Sequence, residues 1–264
     1  MAASHSLLCV GLDPDPVRMP VQDVADFNLA IVDATADLVC AYKPNLAFYE
    51  ALGIPGLIAL EKTIDHIRTV APGAVLIGDG KRGDVGSTSV AYARAMFEVW
   101  GFEATTVNAY GGSESLAPFL DYPDRGVYVW CRSSNPGGAE LQDLRVDGEG
   151  TRLFERLAER VTTWKSKAAI GLVAGAPYPE DMAVLRRLVP DASVLAPGVG
   201  AQGGSLEATV TAGMGADGRG LVVNASRSVL YASKSTDYAE AARISAGKLR
   251  DDINSILTSE GHGW

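Results

Sequence analysis

The feature that most constrains this chain is a regular alternation of short apolar runs with stretches of helical periodicity along its 264 residues. Eight apolar runs, each four to six residues long, are typical of buried strands. They lie at residues 7–12, 38–42, 74–77, 104–107, 127–131, 168–173, 193–196 and 220–223. The alternation predicts a parallel sheet whose strands are joined by helices.

The stretches between these runs carry apolar residues at helical spacing. The clearest stripes are Val24, Phe27, Ile31 and Ala34; Val90, Ala93, Phe97 and Trp100; and Met182, Leu185 and Leu188. A long helix over residues 239–257 is predicted to close the chain. Eight strand–helix units without a break in composition favour a single (β/α)8 barrel over residues 1–264, with a doubly wound sheet as the main alternative.

The charge balance limits the partners that the chain can bind. A formal net charge of −9 argues against nucleic acid or an anionic membrane, since both need clustered Lys and Arg.

The three cysteines, Cys9, Cys40 and Cys131, lie far apart and predict neither disulfides nor a zinc site. No apolar run approaches the roughly 18 residues of a membrane span, and no signal peptide is recognised. We therefore expect a cytoplasmic protein.

Polar residues follow the predicted strands, where a barrel places its active site. They are Asp13 after strand one, Lys43 at the end of strand two, Asp79 and Lys81 at the end of strand three, Ser134 after strand five, residues 197–204 after strand seven, and Arg227 after strand eight. The three histidines are His5, His66 and His262, which lie near the termini or in a predicted helix, so no histidine metal site is expected. The predicted site is thus a rim of charged and hydroxyl side chains.

The pattern Asp79-x-Lys81-x-x-Asp84 is the most informative part of that rim. Two carboxylates hold a neighbouring lysine in its charged form, and such a lysine can deliver a proton to a developing carbanion. The alternative is a solvated turn whose charges make only surface ion pairs.

Residues 198–203 match the pattern G-x-G-x-x-G, which by itself is a weak sign of a dinucleotide site. A dinucleotide site also needs an acidic residue after the next strand, but the chain has Asn224 and then Arg227 there. Barrels often bind phosphate between the loops after strands seven and eight. We therefore predict a phosphate site that combines this glycine loop with the Arg227 guanidinium.

Taken together, these motifs resemble those of the orotidine 5'-phosphate decarboxylase family. The residues that carry the resemblance are Asp13, Lys43, the box 79–84, the segment 134–137, the loop 197–204 and the pair Arg227-Ser228. The segment 11–14 and the box 79–84 are most similar to the longer bacterial branch of that family. The resemblance implies a cofactor-free and metal-free barrel that converts orotidine 5'-phosphate to UMP and carbon dioxide, the last step of UMP synthesis.

The resemblance also implies roles for the charged residues. Lys81 would protonate the ring carbon that loses its carboxylate, and Asp79 would press against that carboxylate and keep Lys81 charged. Lys43 would bond the ribose and join the charge network. Asp84 would come from the partner subunit of a homodimer, because the family builds its sites at a dimer interface.

The remaining implied contacts are to the substrate's ribose, base and phosphate. Asp13 would hold ribose hydroxyls and Thr88 of the partner subunit would touch the ribose, while Ser134 would read the amide edge of the pyrimidine. The phosphate would be held by Gln202, Gly203 and Arg227.

Three other functions compete with this interpretation. A magnesium-dependent decarboxylase or aldolase acting on sugar phosphates shares the box 79–84, but it needs a carboxylate near the end of strand two, where this chain has Lys43. A nicotinamide-dependent oxidoreductase would lack the acidic ribose ligand. A non-catalytic barrel would be expected to have lost part of the charge network, and no part is missing here.

Overall fold

The computed structural model describes residues 4–146, 148, 150–200 and 203–264. Eight strands in the order β1 to β8 form a closed barrel, and the strand pairs within it are parallel. The strands are β1 Leu8–Leu12, β2 Ala41–Pro44, β3 Val75–Arg82, β4 Ala104–Val107, β5 Gly126–Arg132, β6 Ala169–Ala174, β7 Ser193–Pro197 and β8 Leu221–Ala225. The predicted (β/α)8 barrel is confirmed, and the doubly wound alternative is wrong.

Helices separate the strands. The α-helices are α1 Val24–Thr35, α2 Leu46–Glu50, α3 Gly53–Val70, α4 Gly86–Arg94, α5 Gly112–Leu120, α6 Ala139–Gln142, α7 Leu153–Val161, α8 Pro179–Leu188, α9 Leu206–Gly213, α10 Arg227–Leu230 and α11 Tyr238–Ser259. A π-helical turn, Ala95–Val99, continues α4, and 3-10 turns lie at Ala109–Gly111 and Pro136–Gly138. Among the described residues, every helix is too short or too polar to span a bilayer.

The chain divides into two compact units. Residues up to Gly80 together with Asn224–Trp264 form the first, and Lys81–Val223 form the second. In the first unit, α1 packs on both α3 and α11. Helix α1 begins at Val24 because the Asp23 carboxylate accepts a hydrogen bond from the Asp26 amide, which caps the helix. In the second unit, β5 pairs with β4 and β6.

Two predicted strand boundaries differ most from those in the structure. The strand expected at 38–42 begins at Ala41, because Leu38 lies in the turn that ends α1 and donates its amide to Thr35. The strand expected to end at residue 77 continues as far as Arg82, whose carbonyl accepts a hydrogen bond from the Asn108 amide. Asp79 and Lys81 therefore lie in the second half of β3, at the end of the strand as expected.

One helical stripe was also predicted incorrectly. Val90 is 55% exposed, although Ala93 and Phe97 are buried as expected. Ser89 occupies the buried position instead, and its hydroxyl donates a hydrogen bond to the Ser115 carbonyl in α5. A satisfied hydroxyl thus makes the helix contact that the apolar pattern assigned to Val90.

Candidate active site

Lys43 and Asp79 form a buried ion pair on neighbouring strands. Lys43 Nζ donates a hydrogen bond to Asp79 Oδ2 at 2.7 Å, and both side chains are less than a tenth exposed. Strands β2 and β3 pair in parallel, and a further bridge joins Asn45 to Asp79. This pairing carries the lysine of one strand and the carboxylate of the next to the same level of the sheet.

The charges around Lys43 keep its ammonium protonated. Burial by itself lowers the pKa of a lysine, but the carboxylates of Asp79 and Asp13 and the hydrogen bond to Asp79 outweigh burial. The pKa of Lys43 is therefore raised above its ordinary value. A permanently charged lysine at this position can donate hydrogen bonds but cannot serve as a base.

Asp13 directly follows β1 and places a hydrogen-bond acceptor at the carboxyl end of that strand. Its Oδ1 is buried and, among the described residues, has no hydrogen-bond partner. The backbone around it is held by Tyr231, whose hydroxyl donates to the Asp13 carbonyl at 2.9 Å and accepts from the Asp15 amide at 2.7 Å. A fixed carboxylate oxygen that lacks a protein donor is suited to a ligand hydroxyl.

Lys81 has an unusual backbone conformation. Its φ is +44°, in the left-handed region that residues with a side chain seldom adopt, at a cost of about 1–3 kcal/mol. The Lys81 amide donates a hydrogen bond to the Thr106 hydroxyl of β4 at 2.9 Å, which supports the bend. The ammonium lies 5.9 Å from the centre of the Trp130 ring. Such strain persists where the surrounding structure requires one orientation of a side chain.

Asp84 and Thr88 lie at the beginning of α4. The Asp84 carboxylate accepts a hydrogen bond from the Val85 amide at 2.7 Å, just before the helix starts at Gly86. Thr88 is exposed in the first turn. The apolar side chains nearby are exposed as well, with Val85 at 62% and Tyr110 at 92%.

Ser134 lies in the segment that leaves β5. The Ser133 amide donates to Gln142 Oε1 at 2.9 Å, and the Ser133 hydroxyl makes a short hydrogen bond with Asn135. The Ser134 backbone lies against Gly175, where an added Cβ would be only 2.6 Å from the Ser134 Cα. Glycine at position 175 is therefore required for this segment to lie where it does.

Three of the described glycines in the loop after β7 have left-handed backbone conformations. Gly198, Gly200 and Gly203 have φ values of +103°, +65° and +86°, which favour glycine. The Gly200 amide donates a hydrogen bond to the Gly204 carbonyl at 3.0 Å, and the Gly204 amide donates one to the Gly198 carbonyl at 3.3 Å. The loop amides predicted to face a phosphate are thus partly used within the turn. Gln202, also predicted to bind phosphate, lies outside the described residues.

Arg227 is the first residue of α10, two positions after β8 ends, and it is exposed. The strands β7 and β8 are neighbours in the barrel order. Within the described part of the chain, no three His, Cys, Asp or Glu side chains form a cluster that could hold a metal ion.

The structure thus brings the carboxylates of Asp13 and Asp79 together around the Lys43 ammonium. It also identifies two supporting residues that the sequence analysis missed, Thr106 and Arg132. Two polar residues in the buried run 104–107 could have indicated Thr106. Arg132 directly follows an apolar run, but its buried partner Asp181 lies 49 residues further along the chain. No local pattern reveals that pairing.

Three comparisons place the chain among known proteins. The sequence profile described as "Orotidine 5'-phosphate decarboxylase / HUMPS family" matches residues 6–243. Proteins named orotidine 5'-phosphate decarboxylase from Thermomicrobium roseum and Roseiflexus castenholzii are 51% and 49% identical to the chain. The matches cover 97% and 96% of this chain and 92% and 94% of those proteins.

The fold gives the same result. The structure of an OMP decarboxylase from Leishmania donovani superposes with a TM-score of 0.85 at 38% identity, over 97% of this chain and 96% of that one. The residues 6–243 that the family profile matches include Lys43, Asp79 and Lys81. The chain belongs to the orotidine 5'-phosphate decarboxylase / HUMPS family.

Proposed function

We propose that this protein is an orotidine 5'-phosphate decarboxylase, which converts orotidine 5'-phosphate to UMP and carbon dioxide in pyrimidine synthesis. The observation that carries this proposal is the 2.7 Å pair between Lys43 and Asp79, with Lys81 two positions further along β3. The relatives that share about half of the chain's residues carry the same name. The sister activities of the family need a carboxylate where this chain has Lys43.

The reaction breaks the bond between the pyrimidine ring and its carboxylate. The electron pair of that bond stays on the ring carbon, and carbon dioxide leaves. We assign the stabilisation of this carbanion to the Lys81 ammonium, which then donates a proton to the same carbon and is reprotonated from solvent. The left-handed backbone at Lys81 supports this assignment, since strained residues collect at sites that need a defined orientation.

We also assign roles in this step to Asp79 and Lys43. The Asp79 carboxylate faces the substrate carboxylate, and their repulsion is relieved when carbon dioxide leaves. Lys43 donates a hydrogen bond to Asp79 and bonds the ribose. Asp13 accepts hydrogen bonds from ribose hydroxyls, a role supported by its buried oxygen without a donor among the described residues.

The rest of the substrate is held further from the reacting bond. We assign the amide edge of the base to Ser134 and the phosphate to Gln202, Gly203 and Arg227. Binding energy from the phosphate can be used to close the loops and expel water. The glycine loop would then exchange part of its internal hydrogen bonding for phosphate contacts.

We propose that the enzyme is a homodimer whose sites are shared, with Asp84 and Thr88 reaching the partner's site. The exposed apolar side chains of Val85, Val90 and Tyr110 support this arrangement, because they leave an apolar surface beside both residues. We further propose that the whole chain acts as one catalytic domain. Its location in the cytoplasm and its lack of nucleic-acid or membrane partners stay predictions.

A magnesium-dependent reaction is disfavoured by the occupancy of Asp79. Its Oδ2 already accepts from a lysine that stays protonated, and a divalent cation would have to displace that ammonium. We assign no cofactor to the site.

The proposal is tested by following the ultraviolet absorbance of orotidine 5'-phosphate with the purified protein in EDTA. We expect full turnover to UMP. Activity that disappears in EDTA and returns with Mg²⁺ would instead identify a metal-dependent member of the family. Failure to consume the substrate under either condition would overturn the assignment.

A further inference from the structure

The segment that follows β5 is tied to the barrel by an ionic cluster with a buried centre, which the proposed reaction does not use. At its centre is Arg132, the last residue of β5, whose side chain is only 4% exposed. Arg132 Nε donates to Asp181 Oδ2 in α8 at 2.8 Å. The guanidinium lies 4.2 Å from the Tyr178 ring centre and 5.4 Å from that of Phe154, so that aromatic rings shield it.

A second arginine completes the cluster. Arg152 binds the other oxygen of Asp181 at 2.7 Å and Glu155 at 2.7 Å. Asp143 contributes a third carboxylate, 3.3 Å from Arg132 Nη1. Two arginines thus meet three carboxylates, and the cluster joins β5, α7 and α8 to the polar stretch that follows α6.

The cluster is connected to the backbone of Ser133 and Ser134 by hydrogen bonds and packing. Gln142 Oε1 lies 3.4 Å from Arg132 Nη1 and also accepts the Ser133 amide at 2.9 Å. The Arg132 carbonyl accepts the amide of Gly175, the residue that lies against Ser134. Arg132 therefore holds Ser133 from one side through Gln142 and places Gly175 against Ser134 on the other.

We propose that Arg132 and Asp181 are positioning residues for recognition of the pyrimidine base, acting through the backbone of Ser133 and Ser134. This inference rests on the proposed role of Ser134. The physical reason is that a shifted Arg132 would leave the buried Asp181 carboxylate without this partner, and breaking a buried ion pair is strongly unfavourable. A hydroxyl that must read one edge of a base needs such a fixed support.

The test separates recognition of the base from general loss of stability. Dissociation constants are measured for UMP and for ribose 5-phosphate, which has the sugar and phosphate but no base. Arg132→Lys and Asp181→Asn should raise the dissociation constant of UMP by about tenfold, which corresponds to the loss of one hydrogen bond. The dissociation constant of ribose 5-phosphate should not change. Asp143→Asn, a milder change at a partly exposed position, should give a smaller shift in the same direction.

Arg186→Lys is the matched control. Arg186 lies in the same helix as Asp181, and its guanidinium bonds the carbonyls of Gly213, Ala192 and Gly220. Its substitution should lower the melting temperature without changing the ratio of the two dissociation constants. Equal weakening of both ligands by the Arg132 and Asp181 variants, or no change in either, would overturn the proposal.

A double variant tests whether the effect passes through Ser134. If it does, Arg132→Lys should add little to the loss of UMP affinity already caused by Ser134→Ala. Additive losses would show that Arg132 acts independently, and the inference would be withdrawn. The wild type must first decarboxylate orotidine 5'-phosphate, so that failure of the proposed function is recognised separately.

Discussion

Lys43 Nζ and Asp79 Oδ2 lie 2.7 Å apart on neighbouring parallel strands, and neither side chain is appreciably exposed to water. The pair joins two positions 36 residues apart in the chain. Removing one member of such a pair leaves a buried charge without a partner, so we expect the pair to contribute to the stability of the barrel.

Lys43→Met should lower the free energy of unfolding by about 3–5 kcal/mol, because Asp79 is left as an uncompensated buried carboxylate. The pKa of Lys43 is raised in the folded state, so its contribution to stability is complete below the ordinary lysine pKa of about 10.4 and declines as the pH rises further. Urea denaturation of both proteins between about pH 8 and about pH 11 measures this.

The stability difference between wild type and Lys43→Met should thus shrink toward alkaline pH. Lys62→Met, at an exposed position in α3, is the matched control and should change stability by less than about 0.5 kcal/mol. A difference that is independent of pH would contradict the assignment of charge to Lys43.

Lys81→Ala should lower kcat beyond the ~10²–10⁴ of general acid catalysis alone, because both the electrostatic stabilisation and the proton are lost. The fold should survive, since the side chain lies near the end of β3. Single-turnover kinetics and circular dichroism measure the two effects. A folded variant within tenfold of wild type would rule out the proposed role.

Thr106→Val should lower kcat by about tenfold, the loss expected from one hydrogen bond that orients a reacting group. The Lys81 amide would lose its acceptor in β4, and its left-handed backbone would lose support. Thr105→Val, at the adjacent buried position, is the control. The same decrease in both variants would indicate a general effect on the strand.

Mixing Lys81→Ala subunits with Asp84→Ala subunits should restore activity if Asp84 acts in the partner's site. A hybrid dimer regains one complete site, so an equal mixture should reach about a quarter of wild-type activity. The control mixture pairs Lys81→Ala with Asp79→Asn, whose residues belong to the same site, and it should stay inactive. No rescue after confirmed subunit exchange would place Asp84 in its own subunit's site.

Arg227→Ala should impair turnover of orotidine 5'-phosphate by an amount equivalent to roughly 1.5–3 kcal/mol, the value of a charge-assisted hydrogen bond. It should hardly change the slow reaction of orotidine, which lacks the phosphate. Comparing kcat/KM for the two substrates is the measurement, with Arg94→Ala as an exposed control. Equal losses on both substrates would show that Arg227 acts on the ring or the fold.

Much of the fold follows from the sequence, because each strand and helix carries its own periodic signal. The eight apolar runs predicted the barrel, and the polar residues after them predicted the rim that carries Lys43, Asp79 and Lys81. These signals are local, so reading them requires no knowledge of which residues meet. Val90 shows where a local signal fails: the buried position went to Ser89, whose hydroxyl finds its acceptor in another helix.

The tertiary structure decided the pairings. The continuation of β3 to Arg82, the left-handed bend at Lys81 and the burial of Arg132 against Asp181 all depend on residues far away in the chain. Their energies come from hydrogen bonds and ion pairs that exist only once the barrel has closed, since a buried charge is tolerated only when its partner is in place. The sequence by itself determined which residues reach the rim, and folding determined which of them act on one another.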